Sequence, residues 1–258
     1  SLSYADMPFV LAPNLWSKIS FNNRNSEFKE RAHGDGIKYS TKSPEAFEEV
    51  FWKTFIDLDN EELEEKFKNY ISNIAFKYKK DRYLSKNNQN IRRIKLITSI
   101  FSNSKILIPY REPIQHANSL LTQHKKFIEL AKNDNFISNY MKWIGHTEFG
   151  PNYKPIQNNN LTFNNYFEIN HWLEQWYLVY KNAFELLKNN KNVYFISYEE
   201  LCSKKDYWLQ IQKFVLIKDP YIFKFKESKK DISFDINQDL SQKTSSLYSD
   251  LNFFSINY

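Results

Sequence analysis

The stretch Lys105-Ile-Leu-Ile-Pro-Tyr-Arg111-Glu-Pro113 constrains this chain more tightly than any other. Its apolar run reads as a short buried strand that delivers an arginine at its C-terminal end. Pro113 then opens a helix, because its fixed φ and missing N–H suit a first helical turn. Ser119, eight residues past the arginine, falls about two turns along. A strand passing directly into a helix is the repeating unit of parallel α/β folds. Ligands in such folds bind at the carboxyl ends of the strands. An arginine there, beside a helix N-terminus, has the fork, the charge and the local dipole that suit a phosphate. The alternative is an arginine paired with Glu112 or another carboxylate.

The rest of the chain supplies the other layers. Ser43-Pro44-Glu45-Ala46-Phe47 reads as a helix start with Ser43 as N-cap, carrying Phe47, Val50, Phe51 and Phe55 on one face. Asp59 or Asn60 opens a second helix to about Lys79, with Leu63, Phe67, Tyr70, Ile71 and Ile74 at helical spacing. Residues 83–88 read as a short strand ending in a polar turn, and 90–102 as a helix. After the Arg111 strand the helix from Pro113 runs to about Asn133, followed by a turn-rich section from Gly145 to Pro155. A long helix over about 165–190 holds Trp172, Trp176 and Tyr180 at i, i+4 and i+8, a stripe that suits a core better than a cofactor box. Residues 192–197 form a second buried strand. It leads through Tyr198-Glu199-Glu200-Leu201 into a helix ending near Val215, and a mixed tail follows with a basic cluster at Lys224, Lys226, Lys229 and Lys230.

Composition narrows the chemistry. Four glycines in 258 residues leave little for a phosphate-cradling loop, and neither Gly-x-Gly-x-x-Gly nor Gly-x-x-x-x-Gly-Lys-Ser/Thr occurs. That absence argues against a P-loop kinase. The net charge of +6 is spread along the chain without a nucleic-acid motif, so no nucleic-acid partner is expected. The lone Cys202 excludes an internal disulfide and a cysteine-built zinc site, and reads as a buried structural thiol. No stretch approaches the roughly 20 apolar residues of a membrane-spanning helix. The N-terminus has no initiator methionine and no signal-peptide pattern. The expectation is a cytoplasmic chain forming one domain over residues 1–258 and beginning inside that domain.

In this order the pieces resemble the PAPS-dependent sulfotransferases, which move a sulfuryl group from 3′-phosphoadenosine 5′-phosphosulfate (PAPS) to an acceptor. The family's lysine in a polar turn is matched by Lys86-Asn87-Asn88, and its strand ending in Arg-Asp-Pro by Arg111-Glu112-Pro113. Its serine eight residues past the arginine is matched by Ser119, and its Tyr-Glu-Asp-Leu motif by Tyr198-Glu199-Glu200-Leu201. Tyr248 and Leu251 echo the closing signature. The similarity is close over 83–121 and looser over 165–251. The family's N-terminal Pro-x-x-Gly-Thr-Thr loop, which holds the 5′-phosphosulfate, has no match before Leu15. The resemblance therefore implies a chain truncated at its N-terminus or one that has lost the loop.

What the resemblance implies is a helix-rich α/β fold, a parallel-sheet three-layer sandwich of the P-loop/sulfotransferase type. Its activity would be sulfuryl transfer from PAPS to a hydroxyl or amine of a carbohydrate, glycolipid or small metabolite. Arg111 and Ser119 would anchor the 3′-phosphate. Lys86 would contact the cofactor and steady the bridging oxygen, its alternative being a solvated lysine in an Asn-rich turn. The acceptor base is expected at His33 or Glu30, in a segment that reads equally as a surface turn. His146 and Glu148 form a second candidate pair, while His116, His124 and His171 sit on helices as structural or exposed residues. No metal is implied. A non-catalytic module that binds nucleotide or anionic glycan is the alternative function.

Overall fold

Two five-residue strands, β3 (Ile106–Tyr110) and β4 (Val193–Ser197), pair in parallel with Ile106 opposite Val193 and Tyr110 opposite Ser197. Every β4 residue is buried. Successive side chains of a strand point to opposite faces, and the core follows that alternation. Val193 and Phe195 join Ile108, Tyr110, Trp176, Tyr180 and Leu251 in one cluster, whereas Tyr194 and Ile196 join Tyr207 and Ile211 in another.

The computed structural model describes residues 1–7, 9–15, 27–30, 38–45, 47–159 and 161–256. Their contacts divide the chain into two compact units, one of residues 1–90 with 134–147, the other of 91–133 with 148–258. The first unit holds a two-residue antiparallel pair, β1 (Lys29–Glu30) and β2 (Lys38–Tyr39), with helices α1 (Glu48–Thr54), α2 (Asn60–Tyr78) and α5 (Asn135–Trp143). The second holds β3 and β4 with helices α3 (Ile94–Ile100), α4 (Pro113–Asn133), α6 (Ile169–Leu187), α7 (Tyr198–Ser203), α8 (Lys205–Phe214) and α9 (Gln238–Ile256). The architecture is thus helix-rich α/β, with sheets of only two strands each among the described residues.

The strongest local signals hold. Asp59 caps α2 by accepting from the N–H groups of Glu61 and Glu62, and Phe67, Tyr70 and Ile74 are its buried face. Helix α4 has the expected bounds and buries Pro113, Ala117, Leu121, His124 and Phe127. In α6 the stripe Trp172, Trp176 and Tyr180 is core.

Elsewhere tertiary partners override the local pattern. The helix expected from Pro44 begins at Glu48 instead, because Pro44 bridges to Ser3 and the N–H of Glu45 donates to the Leu2 carbonyl. Residues 83–87 form no strand. Tyr83 Oη donates to Glu48 (2.8 Å) and Asn87 Nδ2 to Glu49 (2.8 Å), so side chains rather than a ladder hold this segment. The helix expected over 90–102 is a 3-10 turn (Asn88–Arg92) followed by α3. The start of α6 moves to Ile169 because Glu174 accepts from the N–H groups of Thr162 and Phe163, drawing the preceding segment back along the helix. Helices α5 and α9 stand where no helix is expected from the pattern, and Cys202 is only partly buried.

Candidate anion-binding site

The parallel register brings two separately read motifs together. Tyr110 lies opposite Ser197, so the residues that follow each strand, Arg111 and Tyr198, emerge side by side. The Arg111 guanidinium stacks over the Tyr198 ring, 4.7 Å from its centroid. Behind them the Glu112 N–H donates to Glu199 Oε1 (3.1 Å), joining the start of α4 to the start of α7.

Glu112 does not pair with Arg111. The Glu112 carboxylate accepts from the N–H groups of Ile114 (3.2 Å) and Gln115 (2.7 Å), which makes it the cap of α4. No carboxylate forms an ion pair with Arg111 among the described residues. Instead one guanidinium nitrogen donates to the main-chain carbonyl of Ser228 and lies 3.5 Å from Gln115 Oε1. Its Nε–H is buried without an acceptor. A permanent cation with a buried donor left over is under-satisfied by its own protein.

The segment 226–230 roofs this corner and is held by side chains rather than by a ladder. Tyr198 Oη donates to the Lys226 carbonyl (3.0 Å) and accepts from the Ser228 N–H (2.8 Å). The Gln115 amide takes both main-chain groups of Lys230, donating to its carbonyl (2.8 Å) and accepting from its N–H (3.0 Å). Arg111, Gln115 and Ser119 follow one another at four-residue intervals, so they share one stripe of the strand end and helix face. Ser119 is partly buried on that stripe.

One turn from Arg111, His116 is kept neutral. Burial first, and the positive Arg111 second, push its pKa down to about 4. His124 and His171 are likewise structural. The His171 Nδ1–H donates to the Phe163 carbonyl (2.7 Å), and its Nε2 accepts from Tyr153 Oη (2.6 Å). His124 Nδ1 accepts from the Gly150 N–H (3.1 Å).

Lys86 and Glu30 belong to the first unit, Lys86 exposed in the irregular segment before the Asn88 turn and Glu30 exposed at the end of β1. His33 falls in residues 31–37, outside the described residues. His146 belongs to the first unit and Glu148 to the second. Among the described residues no three His, Cys, Asp or Glu side chains gather as metal ligands. The pattern did not single out Gln115, the stacking role of Tyr198, or the main chain of 226–230. The i+4 spacing from Arg111 to Gln115 to Ser119 was the available signal for Gln115.

Comparison with protein-family models, with curated proteins and with solved structures returned no match.

Proposed function

We propose that the corner formed by Arg111, Gln115, Ser119 and the 226–230 segment binds the 3′-phosphate of a nucleotide, and that the protein is a sulfotransferase using PAPS. The observation that carries the reading is the guanidinium of Arg111 at the end of a parallel strand. Among the described residues it has no carboxylate partner and a buried, unpaired Nε–H, and its fork is turned toward a main-chain carbonyl. A phosphate would replace that carbonyl with charge-assisted, bidentate hydrogen bonds. The Gln115 amide and the Ser119 hydroxyl extend the donor row along α4, and the Ser228 and Lys230 segment closes over it.

When bound, PAPS supplies an activated sulfuryl group. Arg111 and Ser119 hold the nucleotide at its 3′-phosphate. By the family resemblance, Lys86 would be the cation that offsets the negative charge developing on the 5′-phosphate leaving group. Glu30 or His33 would be the base that accepts the proton of the acceptor hydroxyl or amine. The reading carries with it a wider three-layer parallel sandwich and a cytoplasmic location. A non-catalytic module that binds nucleotide or anionic glycan is the second reading, favoured by the scarcity of glycine.

The test is calorimetric titration with adenosine 3′,5′-bisphosphate. Micromolar binding is expected. Arg111→Ala should weaken it by about 2–4 kcal/mol, the worth of a charged partner to a phosphate. Unchanged affinity in the variant would sink the assignment of Arg111, and no binding by the wild type would sink the nucleotide reading. Sulfuryl transfer to an acceptor panel separates the enzyme from the binding module: there Lys86→Ala should lower turnover while leaving nucleotide affinity nearly unchanged.

A further inference from the structure

Between α8 and α9 the chain runs for more than twenty residues without helix or strand, yet its main chain is pinned at four places. The fully buried Gln212 amide takes both main-chain groups of Tyr221, accepting from its N–H (2.9 Å) and donating to its carbonyl (2.8 Å). Tyr198 holds Lys226 and Ser228, Gln115 holds Lys230, and Asn170 holds Asp235 and Asn237. Trp208 adds a ring contact to Tyr221 at 5.8 Å and another to Phe225 at 5.4 Å.

A segment anchored this way could have turned its large apolar side chains inward. It does the opposite. Ile222 is 81% exposed, Leu216 68%, and Tyr221 and Phe223 56% each. Lysines are interleaved with them: Lys218, Lys224, Lys226, Lys229 and Lys230 are all exposed, five cations against Asp219, Glu227 and Asp231. A fixed backbone that displays aromatic and aliphatic tips among lysines is suited to the boundary between headgroups and acyl chains of an anionic bilayer. The apolar tips leave water there while the lysines meet lipid charge.

We propose that the segment 216–230 is a docking surface for an anionic lipid bilayer. The mixture of side chains selects this occupant over two others. A soluble polyanion would satisfy the lysines but leave Ile222 and Phe223 in water. A second copy meeting the same face across a two-fold axis would set lysine row against lysine row. No helix of the described residues is long and apolar enough to cross a membrane, and docking at the surface requires none.

The experiment is cosedimentation with vesicles of phosphatidylcholine alone and of phosphatidylcholine containing phosphatidylserine, in low and high salt. Binding to the phosphatidylserine vesicles is expected, with phosphatidylcholine alone at least about tenfold weaker and with loss on added salt. Two pairs of exposed substitutions, Ile222→Asp with Phe223→Asp and Lys224→Glu with Lys226→Glu, should each reduce binding by about tenfold or more. Failure of the wild type to sediment with phosphatidylserine vesicles overturns the proposal. So does binding that the aspartate pair leaves intact, which would mark simple polyanion attraction. Lipid-free dimerisation abolished by the aspartate pair would assign the face to a second copy instead. No nucleotide enters the assay, so its outcome is separate from that of the proposed anion site.

Discussion

Acid should destabilise this protein well before its carboxylates titrate, through the buried histidines of the second unit. His124 is 2% exposed, and its ring is surrounded by those of Tyr153, Tyr166, Phe167 and Trp172. Its Nδ1 is occupied by the Gly150 N–H, so a second proton must displace that hydrogen bond and sit without a counter-ion. Burial first, with His171 and Lys125 adding repulsion, pushes its pKa from 6.5 down to about 4, and His116 is pushed equally far by burial and by Arg111. The folded state therefore refuses a proton that the unfolded chain accepts. Stability is fully present above about pH 6.5 and is lost as the pH falls toward 4. Between pH 7 and pH 5 one such histidine costs about 2 kcal/mol, and the two together about 4 kcal/mol, a large share of a typical folding free energy. His171, also shifted down by burial, adds in the same direction. The assay is urea denaturation at half-unit pH steps, followed by tryptophan fluorescence, for the wild type and His124→Asn. The asparagine carbonyl can still accept from Gly150 but cannot charge. The variant should be less stable at pH 7, yet its loss between pH 7 and pH 5 should be about 2 kcal/mol smaller. An identical pH dependence in both proteins would refute the reasoning.

Backbone conformation gives two predictions of opposite sign, and the core gives a third. Gly145 has φ +78°, and an added Cβ would lie 2.9 Å from Glu49 Cγ, so Gly145→Ala should cost about 1–3 kcal/mol in chemical denaturation. The cap of α2 is Lys79 at φ 51°, exposed, its N–H donating to the Phe76 carbonyl and that of Lys80 to Ala75. A left-handed lysine costs about 1–2 kcal/mol, and glycine's extra freedom when unfolded offsets about 0.5–1, so Lys79→Gly should stabilise by about 0.5–1 kcal/mol, read as a raised urea midpoint. Leu251 is fully buried in the cluster that covers β3 and β4, and Leu251→Ala should cost about 2–5 kcal/mol by the same measurement.

What the sequence determined by itself is what short-range chemistry determines. The apolar runs 106–110 and 193–197 could satisfy themselves only as buried strands. Asp59 and Pro113 placed helix starts because the first turn of a helix needs an acceptor or a missing N–H. The spacing of Trp172, Trp176 and Tyr180 put one face of α6 into a core. That Arg111 and Ser119 lie within one strand–helix step was legible for the same reason. Tertiary structure decided what depends on residues far apart in the chain. Whether Arg111 meets a carboxylate turned on Glu112 spending both its oxygens on the N–H groups of α4, and on a roof drawn from residues 226–230. The Ser43-Pro44 helix start lost to a bridge with Ser3, and the strand expected over 83–88 lost to carboxylates on α1. Buried polar groups must be satisfied by whatever the fold brings within reach. Partners separated by 35 to 117 residues leave no period in the sequence that would announce them.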